Sequence, residues 1–275
     1  MTLLSYDFMR YALLAAVLVG VTAPTVGVYL VQRRLSLIGD GIGHVALAGV
    51  AVGVLTSAAP VPTALAAAVA GAAAVELIRA RGRTSGDLAL ALLFYGGIAG
   101  GVVIISQAPG GTPGNLNAYL FGAITTTTAA DLGVFAVLSL AVLAVTLGLG
   151  RYLFAVSNDE EYAAAAGMPV LRLNLLLAVV TAVTVVIAMR VIGLLLISAL
   201  MIVPVASAQL IARSFRATIL LAALIGLAVS VAGVTTSYYA DTPSGGTIVL
   251  FAIAVFVAVA AVRATRGGSL APPRT

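Results

Sequence analysis

Asp40 and His44 are the residues of this chain best suited to chemistry. They stand four apart in Asp40-Gly-Ile-Gly-His44, and His44 is the only histidine. On a helix that spacing puts both side chains on one face, one turn apart. An oxygen donor and an imidazole nitrogen at that separation suit a borderline divalent metal. They open an apolar run, Val45 to Leu55, in a chain of which 8% is charged. A carboxylate and an imidazole at lipid depth are costly unless they face a polar path or a partner. Glycines at 39, 41, 43, 49 and 53 let neighbouring backbones come close. The alternative is structural: Asp40 caps the helix and His44 is a satisfied interior histidine.

The remaining candidates are few. Glu76 falls near the end of an apolar run, where it either lines a path or pairs with Arg79 at i+3. Asp87 and Asp131 stand at the edges of apolar runs, while Asp7 and Asp241 stand outside them. Ser198, Pro204, Ser207 and Gln209 share one span. Pro204 cannot bond the carbonyl of Leu200, so that carbonyl and the nearby hydroxyls are free either to line a path or to serve packing. No catalytic residues are expected. There is no GxxxxGK[ST] loop and no lysine, and neither HExxH nor GxSxG occurs. Without cysteine, thiolate metal sites and disulfides are excluded.

The elements that position these residues are membrane helices. Of 275 residues, 62% are hydrophobic, and mean hydropathy is +1.18. That composition is an all-α polytopic membrane protein, a single domain over 1–275. Nine apolar segments read as helices: roughly 9–31, 41–56, 62–79, 87–106, 131–151, 170–189, 191–211, 217–238 and 246–264. The first reads as a retained span rather than a cleaved signal. All fourteen basic residues are arginine, and twelve fall on one side if the N-terminus is outside and the C-terminus inside. Only Arg10 and Arg190 then fall outside. The net charge of +5 suits an anionic cytoplasmic leaflet and gives no reason to expect nucleic acid.

Two connections are more than turns. The outer stretch 107–130 holds a Gly/Pro-rich loop, then Asn115 to Gly122, in which Tyr119-Leu-Phe reads either as a re-entrant half-helix or as a surface helix. The inner stretch 151–169 is a cytoplasmic loop with a short helix at about 159–166. Ser157 with Glu160 matches a capping box, and Gly167 and Pro169 stop the helix. Its Glu160, Glu161, Tyr162, Ala163, Ala166 and Gly167 form a small face suited to another protein's groove; the alternative is a solvated connector.

Three motifs carry a resemblance. Ser36-Leu-Ile-Gly-Asp-Gly-Ile-Gly-His-Val-Ala-Leu-Ala-Gly49 resembles the second-helix signature of ABC permeases for zinc, manganese and iron uptake. Val191-Ile-Gly-Leu-Leu-Leu-Ile-Ser-Ala-Leu-Met-Ile-Val-Pro-Val-Ala-Ser-Ala208 is similar to that family's late-span motif, and Ser237-Tyr-Tyr-Ala-Asp-Thr-Pro-Ser-Gly-Gly-Thr-Ile-Val-Leu250 to its last outer loop. The helix before Gly167-Met-Pro resembles its ATPase-docking loop. Ala48-Gly49 stands where many relatives have Pro-Gly, which bears on the bend of the second helix.

The resemblance implies a permease subunit of an ATP-driven importer in a prokaryotic plasma membrane. Two copies form a homodimeric pore, two cytoplasmic ATPases drive it, and an extracytoplasmic binding protein delivers Mn²⁺, Zn²⁺ or Fe²⁺ as substrate, with no resident cofactor. It places Asp40 and His44 on the ion path, where Glu76 and Ser198 are further candidates; the docking candidates are Glu160, Glu161, Tyr162, Ala163, Ala166 and Gly167, and the outer-mouth candidates Tyr238 and Asp241. The rival is an ion-coupled secondary carrier for a small solute, with Asp40 and His44 as a proton relay. It needs no docking helix.

Overall fold

The computed structural model describes residues 6–82, 86–107, 120–122, 128–190 and 192–266. The described residues form these helices: α1 (Asp7–Gln32), α2 (Ile38–Leu55), α3 (Pro60–Ala80), α4 (Gly86–Ser106), α5 (Ala129–Gly148), α6 (Gly150–Asn158), α7 (Glu160–Ala165), α8 (Val170–Met189), α9 (Leu194–Ile211), α10 (Phe215–Ala240) and α11 (Ser244–Arg266). Eight of these are long and apolar enough to cross a membrane, and α9 contributes a shorter apolar helix. The all-α, multi-span expectation therefore holds. Most of the apolar windows of α1, α2 and α8 are buried, whereas α3, α4, α5 and α11 face outward. In lipid every backbone group must be satisfied within the chain, which is why the spans are helical throughout.

Local chemistry sets the boundaries. Thr128 and Asp131 form a reciprocal capping box at the start of α5, Pro60 opens α3, and the Ser214 hydroxyl accepts from Ala217 N to start α10. Asp241 closes α10 in the left-handed region, φ 50°. Two sequence expectations are corrected. The fifth span does not run on to residue 151. It stops at Gly148 and restarts as α6 at Gly150, because glycines flank Leu149 and weaken the helix there. Nor does Ser157 cap the short helix: it lies inside α6 with its hydroxyl buried and unbonded. Asp159 takes the capping role, since its extended backbone (φ −151°, ψ 102°) carries its carboxylate to Tyr162 N at 2.8 Å. The half-helix expected around Tyr119 falls largely outside the described residues. Leu120 and Phe121 are helical and pack with Gly122 against Gly193.

A close crossing joins α1 and α10. Pro24 lies inside α1 and has no N–H for the Gly20 carbonyl, four residues back. Gly226 of α10 packs directly on that carbonyl and on the Pro24 ring. A side chain at 226 would collide with both, so the helices meet here only because this residue is glycine. Tyr29 ties the same helix to α5 through a hydrogen bond from its hydroxyl to Thr146 O, 2.8 Å. We expect Gly226→Ala to lose about 1–3 kcal/mol and to lower the folded yield. Gly96→Ala, where an added Cβ meets nothing within 4 Å, should match the wild type. Size-exclusion recovery in detergent after graded heating compares the two.

Candidate functional site

Helix α2 is a short, buried helix whose four glycine contacts set its position. Gly41 packs on Leu90 and Leu93 of α4, Gly43 on Leu194 of α9 and Val185 of α8, and Gly49 on Thr63 and Ala64 of α3. Gly39 packs on Ser198 and Met201 of α9, and Met201 also meets Gly27 of α1. The first turn of α2 is therefore level with Gly27, five residues before α1 ends. At 1.5 Å per residue that is about 8 Å inside the end of α1. The connection folds back to reach it: Arg34 is left-handed (φ 57°), and Leu35 N bonds Leu30 O at 2.9 Å. Asp40 thus opens α2 within the bundle.

His44 is 9% exposed, and its Nδ1 is buried without a hydrogen-bond partner. Phe94 of α4 stands edge-on to the imidazole, with centroids 4.5 Å apart at 78°. One turn on, Gly97 brings α4 so close that an added Cβ would lie 2.7 Å from the His44 carbonyl carbon. The Asp40 carboxylate is near enough to act on the imidazole electrostatically. Ser198 is buried, its Oγ also without a partner, next to Gly39. His44 Nδ1 and Ser198 Oγ are thus buried on α2 and α9 without hydrogen-bond partners, and the half-buried Asp40 stands one turn before His44. Among the described residues no group of three or more His, Cys, Asp or Glu forms a closed metal cage. Ala48, the departure from Pro-Gly, leaves α2 unbroken from Ile38 to Leu55.

Glu76 lies elsewhere. It is 2% exposed and takes the pairing reading: Arg79 Nη2 is 3.1 Å from its Oε1 and Arg33 Nη2 is 3.7 Å away. The same two guanidiniums approach Glu160 of α7, at 3.4 and 3.8 Å. Asn174 Nδ2 of α8 donates to Glu160 Oε1 at 2.5 Å. Nearby, Gln32 Nε2 donates to Asn158 Oδ1 at 3.0 Å. The cluster binds α7 to the ends of α1 and α3 and to the first turns of α8. Among the described residues no ion pair joins it to Asp40.

The short helix α7 is two-sided. Ala163 is 0% exposed, packed into the chain's own core, so it is not open to a partner. Glu160 turns toward the cluster. Glu161, Tyr162, Ala166 and Gly167 are exposed, Tyr162 at 67%. At the opposite end Tyr238 packs with Tyr6, Phe8 and Tyr239, and Asp241 is exposed beside it. Arg190 pairs with Asp131 at 3.0 Å, and Arg10 with Asp7 at 3.3 Å. Sequence reasoning missed Arg33 and Asn174 as site-forming residues. Arg33 counted only as a topological charge, yet an arginine next to the end of a span and a glutamate inside another were a signal that the two meet.

A bundle of this kind, with a donor pair on a buried glycine-lined helix and a separate two-sided helix at one end, is a membrane permease. The chain belongs to the ABC 3 transport family, which matches residues 5–263. It is a multi-pass protein of the plasma membrane. It is 32% identical to the "Manganese transport system membrane protein MntC" of Halalkalibacterium halodurans over 92% of this chain and 87% of that protein. It is 31% identical to the "Manganese import system permease protein ScaB" of Streptococcus gordonii (92% and 90% covered) and 30% identical to a "Probable iron transport system membrane protein" of Haemophilus influenzae (92% and 93%). Among solved structures, "PsaBC from Streptococcus pneumoniae in complex with Fab" superposes with a TM-score of 0.83 at 30% identity, covering 93% of this chain and 91% of that one.

The charge cluster makes a direct prediction. Glu76→Gln leaves Arg33, whose side chain is 5% exposed, without its buried counter-charge. Removing one partner of a buried pair typically costs about 3–5 kcal/mol. Glu160, half exposed, should matter less. Apparent melting temperatures in detergent should fall in the order wild type, Glu160→Gln, Glu76→Gln; the reverse order would contradict the burial argument.

Proposed function

We propose that this chain is the permease subunit of an ATP-driven importer that carries a divalent transition metal, Mn²⁺, Zn²⁺ or Fe²⁺, across the membrane. The observation that carries the reading is the unpaired, buried Nδ1 of His44, one helical turn from Asp40, on a helix held by close glycine contacts. The relatives, named as manganese and iron transport proteins, support the cargo class. One carboxylate, one imidazole and the Ser198 hydroxyl suit a transient stop better than a storage site, because an ion must leave as easily as it enters. A second copy of the chain, facing the first, completes the path. An extracytoplasmic binding protein loads it near Tyr238 and Asp241. ATP is hydrolysed by separate cytoplasmic subunits that dock on the exposed face of α7: Glu161, Tyr162, Ala166 and Gly167. The N-terminus is outside and the C-terminus inside, so the end with Arg33, Arg79 and α7 is cytoplasmic.

Three measurements test this. In complexes reconstituted with the ATPase and binding protein, Asp40→Asn and His44→Ala should assemble and hydrolyse ATP, yet pass metal at least ten-fold more slowly. Wild-type flux in both would remove the ligand roles. Metal binds the neutral imidazole, so flux should also fall in acid as His44 protonates. A charge at Ala166, which faces out, should weaken ATPase association without disturbing the fold, whereas Ala163→Asp should destabilise the chain itself. Finally, the chain lacks cysteine, so Thr265→Cys reports sidedness directly: an impermeant thiol reagent should label it only in broken cells.

A further inference from the structure

A groove of about 1060 Å³ opens between α1, α5, α6 and α10, away from α2 and the charge cluster. That is at the upper end of the size range for ligand pockets. One wall is Val21, Thr25 and Tyr29, spaced by four on α1; the facing wall includes Ile219 and Ala223 on α10. Its polar wall groups are already spent. Thr25 Oγ1 donates to Val21 O at 2.7 Å, and the Tyr29 hydroxyl to Thr146 O at 2.8 Å. What the walls offer is methyl groups and ring edges along about two helical turns. The rim is different in kind. Arg151 and Arg216 line it at one end, both exposed, and no carboxylate is among the lining residues. Arg151 is held in place by its neighbour, with its guanidinium carbon 4.7 Å from the Tyr152 ring centroid and Nη2 donating to the Tyr152 hydroxyl at 2.9 Å.

We propose that this groove is a binding site for an anionic glycerophospholipid, its acyl chain lying between α1, α5 and α10 and its phosphate between Arg151 and Arg216. An apolar trough that ends in two cations matches an amphiphile standing along the helices. Basic pockets between membrane helices take anionic headgroups in this way, and arginine is suited to phosphate geometry. A second copy of the chain is a poorer fit. In a two-fold contact the same patch meets itself, which sets arginine against arginine. The proposal does not depend on the transport reading.

The full chain, purified in detergent, is titrated with phosphatidylglycerol or phosphatidylcholine of equal chain length, and bound lipid is counted by native mass spectrometry. Phosphatidylglycerol should be retained at least five-fold more than phosphatidylcholine. The double variant Arg151→Gln, Arg216→Gln, which alters exposed side chains only, should bring that ratio close to one. Gly148→Leu should reduce retention of both lipids, because Gly148 lines the groove and a Cβ there meets nothing within 4 Å. Inorganic phosphate at millimolar concentration should not compete; full competition would mean an anion site without a lipid site. Equal retention of the two lipids by the wild type, or an unchanged ratio in the arginine variant, overturns the proposal. So does loss of the dimer in Gly148→Leu, which would assign the groove to a second copy.

Discussion

The structure depends on holding a carboxylate and an imidazole inside an apolar bundle. Each is costly there unless it keeps a task or a partner. Here the backbones close round them. Glycines on α2 and α4 remove the side chains that would otherwise keep the helices apart, so that α3, α4, α8 and α9 all touch one eighteen-residue helix. Close approach of this kind replaces the hydrophobic effect, which gives little drive between helices already in lipid. The result is a rigid cradle of apolar atoms around a few donors left unsatisfied. Unsatisfied buried polar groups are generally avoided; His44 Nδ1 and Ser198 Oγ are two of those this bundle keeps.

The ion cluster solves a different problem in the same bundle. Glu76 and Arg33 are buried charges too, but they are neutralised by each other and by Arg79 and Glu160. Buried ion pairs contribute little net stability, yet they are strongly specific, because any other arrangement strands a charge. The cluster therefore fixes where α7 sits on the ends of α1, α3 and α8. Two of its donors, Arg33 Nη2 and Arg79 Nε, lack a hydrogen-bond partner, so the contacts are coulombic rather than fully bonded. A short helix held this way is anchored on one side and exposed on the other.

Much of this was legible in the sequence. Hydropathy and arginine placement mark the spans, and the Asp/His spacing marks the face of α2. The breaks were harder. Leu149 reads as a continuation of an apolar run, and only the flanking glycines betray the stop. Ser157-Asn-Asp-Glu160 offers two candidate caps, and the choice of Asp159 depends on where α6 ends, which is a matter of tertiary packing. The inward turn of Ala163 was hidden for the same reason: in a run of alanines, composition does not say which one faces the core. The level of Asp40 was not readable at all, because it is set by contacts between α1, α2 and α9 rather than by any local pattern.

The fold-back between α1 and α2 carries a consequence for the azimuth of the site. Three hydrogen bonds set its course: Arg34 N bonds Val31 O, Leu35 N bonds Leu30 O, and Ile38 N bonds Leu35 O. A helix turns about 100° per residue, so lengthening this joint by one residue would either break one of those bonds or swing Asp40 and His44 by more than a quarter-turn. His44 would then turn away from the Phe94 ring. The joint is thus a ruler that sets the direction in which the donors point. A short turn, distant in appearance from any chemistry, is held to a fixed length by the orientation of two side chains on the helix that follows it.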